Sequence, residues 1–376
     1  MFLQIMVPLL IVILLFIGYA ILMIYYWRNW RSVPEFTPSH SERKTRISVI
    51  IPARNEEVSI PLLLQHLKQQ TYPTELFETI VVDDHSTDKT VEVVKKFQEV
   101  KLIQLKEDNI NSYKKKAIEA GIAASKNEWI VCTDADCLPP AEWLDTMAAF
   151  REKQNPMFIA APVMYANDKS LLQVFQSLDF LVLQGITAVA VYKNSLTMCN
   201  GANLAYERKA FKEVNGFSGI DTIASGDDML LMYKIWKKHP HSVHYLKSRS
   251  AIVVTEPSKT WKEFFNQRIR WASKALFYDD KRIFPVLLLV YMFNLLFLIL
   301  LVAGCWNHYY WIYCAGLWIL KTAIEFPFVT AVASFFGKQA LMKYFFFLQP
   351  LHIFYTIISG LLGQFGRYEW KGRKVK

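Results

Sequence analysis

The chain has 376 residues, 53% of them hydrophobic and 20% charged, and its 43 Lys and Arg against 33 Asp and Glu leave a formal net charge of +10. That composition excludes a disordered chain and exceeds the roughly 45–50% apolar share of an ordinary soluble domain. The excess sits at the two ends, so the ends and the middle read as different materials.

Residues 1–27 carry no charge, and a helix needs about 20 residues to cross a hydrocarbon core. No basic residue precedes this run and no small-residue cleavage site follows it, which argues against a signal peptide. The segment predicts a transmembrane helix, followed by a basic linker over 28–45 that holds Arg28, Arg31, Arg43 and Lys44.

From 46 to 257 short apolar runs alternate with amphipathic stretches, the pattern of strand-helix-strand units around a mostly parallel, Rossmann-like sheet. Strands are predicted over 47–51, 77–82, 101–105, 129–132 and 157–163, with helices over 59–70, 89–97, 113–125 and 141–152. Ligands in such α/β folds sit beyond the carboxyl ends of the strands.

Those ends are polar. The first strand runs into Pro52, Ala53, Arg54, Asn55 and Glu56, the second into Asp83, Asp84 and His85, and the fourth into Asp134-Ala135-Asp136. A lone Asp-x-Asp is ordinarily a turn or a helix cap, but three acidic clusters at one sheet edge repel one another unless a cation or donors compensate. Asp134 and Asp136 can aim at one hard divalent ion whose other positions suit water and phosphate oxygens. Lys114, Lys115 and Lys116 open the next helix, either as a phosphate-facing positive field or as a solvated basic face. Asp88 is assigned to capping. Further on, Gly226-Asp227-Asp228 precedes a helical run over 229–238, as a projecting carboxylate or as a cap. An amphipathic interfacial helix over 258–281 carries Gln267, Arg268, Ile269, Arg270 and Trp271 among aromatic residues.

No charge appears from Ile283 to Leu320, and Trp306 to Tyr310 makes an interfacial break; a further charge-free run extends from Tyr344 to Gly366. The region 283–366 therefore reads as about three spans, followed by a basic tail over 367–376. Basic residues after the first span and before the second place the middle region in the cytoplasm. Four crossings would leave the basic tail outside, unless Lys321/Glu325 with Pro327, or Pro350, marks a segment that does not cross. Lys321 and Glu325, at i, i+4 spacing, neutralise each other within the bundle. The five cysteines form no CxxC pair and read as reduced structural thiols. No recognition element accompanies the basic excess, so the expected partner is an anionic lipid surface and not nucleic acid. His239, His241 and His244 are dispersed by Pro240 and a strand pattern over 242–246, which disfavours a zinc site.

Taken in order, Pro52 to Glu56, Asp83 to Ser86, Asp134-Ala135-Asp136, Gly226 to Asp228 and Gln267 to Trp271 resemble the membrane-bound family 2 glycosyltransferases, with a GT-A domain over 46–257. The last element is similar to the Gln-x-x-Arg-Trp signature of cellulose, hyaluronan and chitin synthases. The resemblance implies a nucleotide-sugar donor, UDP-linked by expectation, held by Pro52, Ala53, Arg54, Glu56, Asp84, Lys114, Lys115, Asp134, Gln267, Arg270 and Trp271. It implies Mg2+ or Mn2+ on Asp136 with Asp134, Asp228 as general base with Asp227 as competitor, and an acceptor side at Asn200, Gly201 and Ala202. Tyr113 stands where family members often have Gly, and Asp227 where Glu is common. The expected enzyme is an inverting, multi-pass transferase of a bacterial inner membrane that glycosylates a lipid or lipid-linked hydroxyl. A processive polysaccharide synthase is the alternative, and a non-catalytic sugar-nucleotide-binding membrane protein a third reading.

Overall fold

The computed structural model describes residues 2–39, 42–107, 112–195, 198–221, 223, 226–273, 281–364, 368–370 and 373–375. The chain divides into two compact units. One comprises Met1–Ser32, Asp168–Val189 and Ser258–Lys374, and the other Val33–Asn167, Ala190–Pro257 and Val375–Lys376.

The second unit is built on a seven-stranded sheet in the order β3 (Val100–Gln104), β2 (Phe77–Asp83), β1 (Ile47–Ala53), β4 (Trp129–Cys132), β8 (Leu204–Glu207), β6 (Phe158–Ala160), β9 (Val243–Tyr245). β1 runs parallel to β2, from Ile47 opposite Phe77 to Ala53 opposite Asp83, and parallel to β4. Its sequence, ISVIIPA, is buried everywhere except at Pro52. A β-branched run without polar alternation suits a central strand covered on both faces. Helix α4 (Tyr113–Ala124) packs on β1 and β2. The polar ends of β1, β2 and β4 therefore emerge side by side.

The fold departs from the sequence reading in several places. The single strand expected over 157–163 is split into β6 and β7 (Val163–Tyr165), and β7 belongs to a separate sheet ordered β5 (Cys137–Leu138), β10 (Val253–Thr255), β7. Pro162 lies at the switch and lacks the N–H a continuous ladder needs. Another is β8, which inserts antiparallel between β4 and β6 and so brings residues 200–203 beside the end of β4. The linker also differs: Arg43 is buried and its Nε lies 2.7 Å from Asp145 Oδ1, so it serves this unit and not a lipid surface.

The other unit is helical. Among the described residues, five helices are long and apolar enough to cross a membrane: Leu10–Ser32 within α1 (Phe2–Ser32), Leu171–Tyr192 (α6), Ile283–Ala303 (α10), Tyr309–Phe335 (α11) and Gln339–Gly363, which contains α12 (Met342–Gly363). The sequence reading omitted α6, whose Gln173, Gln176, Asp179 and Gln184 lower its hydropathy. It is 83% buried over its most apolar window, against 17% for α1. The break at Trp306 to Tyr310 lies between α10 and α11. Pro327 and Pro350, considered as breaks, lie inside continuous helices. Lys321 donates to Glu325 Oε1 at 2.6 Å and to Gln349 Oε1 at 2.7 Å, all three buried, and Tyr19 also donates to Glu325. Pairing lets these charges sit in an apolar bundle without interrupting α11. Within the segment expected as an interfacial helix, α9 spans Trp261–Ser273, and residues 274–280 of that expectation lie outside the described residues.

Candidate functional site

At the ends of β1 and β2 the two loops are stitched together. Arg54 Nη1 donates to the carbonyls of Asp84 (2.7 Å) and His85 (3.2 Å), and Asp84 N donates to Ala53 O at 2.8 Å. Asn55 N donates to Ser86 Oγ (2.9 Å), while Asn55 Oδ1 accepts from Thr87 N (2.8 Å). Glu56 N donates to Thr90 Oγ1 at 2.8 Å. Asn55 and His85 adopt left-handed φ values of 53° and 54°, the conformation in which Asn is least penalised among non-glycine residues. Asp84 is buried, with His85 Nδ1 at 3.1 Å and Arg54 Nη1 at 3.8 Å. Asp88 accepts from Thr90 N at 3.0 Å before α3 (Thr90–Val94). Tyr113 packs edge-on against the His85 ring at 5.9 Å.

The second cluster gathers around Lys114. Its Nζ lies 2.7 Å from Asp134 Oδ1 and 3.2 Å from Asp227 Oδ2. Burial opposes the charge on Lys114, but the fields of Asp134, Asp227 and Asp228 outweigh it and hold this ammonium's pKa well above the ordinary value. Asp228 precedes α8 (Met229–Lys238); its Oδ1 accepts from Met229 N at 2.7 Å and its Oδ2 from Gly201 N at 3.1 Å. Two backbone donors therefore fix the carboxylate. Gly226, with φ of +82°, turns the chain into this helix. At Gly201 a Cβ would lie 3.1 Å from Lys114 Nζ and 3.3 Å from Asp227 Oδ2, so the cluster closes on bare backbone.

Asp134 and Asp136 stand on the link between β4 and β5, where Cys137 N donates to Asp134 O at 3.2 Å. Asp134 is partly buried and Asp136 exposed. Thr133 Oγ1 donates to Ala202 O (2.9 Å), and Asn200 Oδ1 accepts from Ala202 N (3.0 Å), which ties the 200–203 loop to this link. Burial pushes the Cys132 thiol up to about 12, which keeps it protonated and inert.

The structure separates residues that the sequence presents as equivalent. Lys115 is buried and its Nζ donates to the carbonyls of Ile220 and Ile223, so it braces those two residues while Lys114 meets the carboxylates. Asn203, next to the acceptor-side residues, is fully buried; its Nδ2 donates to Pro162 O and Ala251 O. Gln267, Arg270 and Trp271 are half-buried on α9, in the helical unit. The sequence reading missed the structural roles of Asn55 and Thr90, for which a polar residue beside an acidic turn was the available signal. It also passed over Arg268.

Among the described residues no three His, Cys, Asp or Glu side chains converge to hold a metal by themselves. The donor set that fits is smaller: two hard carboxylates one residue apart, one of them exposed. That suits an oxygen-seeking divalent ion completed by phosphate and water.

Residues 48–214 match the family model described as Glycosyl transferase family 2. The chain is 27% identical over 255 residues to a probable glycosyltransferase, YdaM, of Bacillus subtilis, covering 66% of this chain and 59% of that one. It is 23% identical over 241 residues to a poly-beta-1,6-N-acetyl-D-glucosamine synthase of Staphylococcus epidermidis, covering 62% and 55% respectively. The chain thus spans between one half and three fifths of the length of these relatives. Among solved structures, the mannosyltransferase PcManGT from Pyrobaculum calidifontis in complex with GDP-Man and Mn2+ aligns with a TM-score of 0.56 at 20% identity, over 93% of this chain and 98% of that one. The shared fold is GT-A.

Proposed function

Because residues 48–214 form a family 2 glycosyltransferase domain, we propose that the chain is an inverting transferase that moves one sugar from a nucleotide-sugar, UDP-linked by preference, to a hydroxyl of a membrane lipid or lipid-linked acceptor. The observation that carries this reading is the Lys114–Asp134–Asp227 cluster standing next to a separately fixed Asp228. Transfer needs two things of a protein: compensation for charge on the departing diphosphate, and a base for the incoming alcohol. Here they fall to different carboxylates.

In this reading the stitched loops of Ala53 to Glu56 and Asp84 hold the nucleoside. Asp134 and Asp136 would hold Mg2+ or Mn2+, which would offset charge on the departing diphosphate. Lys114 releases Asp134 and turns to the phosphates. Asp228 takes the acceptor's proton as that oxygen bonds to the anomeric carbon and the electron pair of the broken bond leaves on the nucleoside diphosphate. Gly201 and Ala202 border the acceptor, and Gln267, Arg270 and Trp271 act on the donor. The basic residues flanking α1 and α10 support a cytoplasmic position for the α/β unit.

The likeness to a poly-N-acetylglucosamine synthase supports a second reading, repeated transfer to a growing polysaccharide. Incubating the purified full chain in membrane lipid with Mn2+ and a panel of UDP- and GDP-sugars, with mass spectrometry of products, separates the two. A singly glycosylated lipid with free nucleoside diphosphate is the expected product. Long polymer would favour the second reading, and no turnover of any donor would remove both.

A further inference from the structure

Arg268, the second residue of the Gln267 to Trp271 element, is 4% exposed on α9. A buried guanidinium requires a counter-charge, and Asp179 of α6, 5% exposed, supplies it: Asp179 Oδ2 accepts from Arg268 Nε at 2.9 Å and lies 2.7 Å from Nη2. Tyr355 of α12 donates its hydroxyl proton to Asp179 Oδ1. The guanidinium lies over two rings of its own helix, 4.3 Å from the Trp271 centroid and 4.7 Å from that of Phe264. Its Nη1 donates to Gln267 Oε1 at 2.7 Å.

An arginine can only donate. The Gln267 oxygen must therefore face Arg268, and the amide nitrogen with its two donors must face away from it. The same guanidinium covers the Trp271 indole, which also packs against the Phe180 ring of α6 at 6.1 Å. One residue thus orients two of the three side chains that the functional reading assigns to the donor, and its own position is set by α6 and α12. Stability alone does not account for this arrangement, because a buried ion pair is commonly no more stabilising than well-packed apolar residues. We infer that Arg268, held by Asp179 and Tyr355, is a positioning residue that presents Gln267 and Trp271 to the nucleotide-sugar; this rests on the donor-binding reading of that element.

Replacing both charges together, Arg268→Met with Asp179→Leu, tests it without leaving an uncompensated ion. If the pair is only structural, the double variant in lipid nanodiscs transfers sugar like the wild type. Positioning predicts a fall in kcat/KM of about 10²-fold, mostly through the donor KM. It also predicts that adding Gln267→Ala in that background costs less than about threefold, since coupled residues do not add. Wild-type kcat/KM in the double variant, or a fully additive loss with Gln267→Ala, overturns the inference. A readout that needs no turnover is Trp271 emission, taken as the difference between each protein and its Trp271→Phe counterpart. Its acrylamide quenching should rise in the double variant, and unchanged quenching counts against the inference. If the wild type uses no donor, the functional reading fails and the positioning of Trp271 is decided by the quenching alone.

Discussion

Lys114 stands between two carboxylates, 2.7 Å from Asp134 and 3.2 Å from Asp227. Its ammonium keeps the acidic edge of the sheet together when no ligand does so. Lys114→Gln should lower the melting midpoint by about 2–4 °C, the scale of roughly 1 kcal/mol in a domain of this size. Added Mn2+ should restore most of that loss, which differential scanning fluorimetry can follow. A midpoint that does not respond to Mn2+ would separate Lys114 from the metal role of Asp134.

The pH dependence of that contribution has a definite sign. The native pKa of Lys114 is raised, because the field of the carboxylates outweighs the burial that opposes the charge. Its contribution is therefore complete below the unfolded value of about 10.4 and is lost as pH rises through the native value. The stability difference between wild type and Lys114→Gln should be flat from about pH 7 to 9. A difference that shrinks across that interval would contradict the raised value.

Asp228→Asn removes the proposed base while preserving both backbone hydrogen bonds to the side-chain oxygens only in part. The expected loss in kcat is about 10²–10⁴-fold, with nucleotide-sugar affinity by calorimetry close to wild type. Asp227→Asn should act differently, through Lys114, and should weaken donor binding. If Asp227→Asn abolishes turnover with donor binding intact and Asp228→Asn does not, the two roles are reversed.

Gly201→Ala places a methyl group 3.1 Å from Lys114 Nζ and 3.3 Å from Asp227 Oδ2. Displacing these two groups by a few tenths of an ångström should cost about tenfold in kcat if they act in transfer as proposed, with little change in melting temperature. Steady-state kinetics of the variant alone decide this.

In the helical unit, Glu325→Gln leaves the buried Lys321 without its carboxylate and should destabilise by about 3–5 kcal/mol, whereas Lys321→Met with Glu325→Met should be tolerated. Thermal unfolding in detergent checks both. Equal destabilisation by the single and paired changes would mean that the charges themselves are required.

Much of the α/β unit was legible in sequence because its strongest signals are local. A β-branched run such as Ile47 to Ile51 buries both faces only in a central strand, and Asp134-Ala135-Asp136 directly after Trp129 to Cys132 places two carboxylates at that strand's end. The helix over 229–238 was legible from its start, since Asp228 both caps it and projects from the loop before it. What periodicity could not reveal was β8, a four-residue strand whose place between β4 and β6 is set by partners far away in the chain. Nor could it foresee α6, whose polar residues make sense only inside a bundle that pairs Asp179 with Arg268.

The order of motifs, the residue types available for metal, base and counter-ion, and the apolar ends were determined by the sequence alone. Which member of each like pair does what was decided only by tertiary structure. Lys114 and Lys115 are neighbours on one helix, yet the turn of about 100° between successive residues sends one ammonium to Asp134 and the other to the carbonyls of Ile220 and Ile223. Asp227 and Asp228 divide in the same way, one to Lys114 and one to the Gly201 amide. Charge is a property of the residue, but its partner is a property of the fold, because electrostatic and hydrogen-bonding energies depend on distances that no local pattern contains.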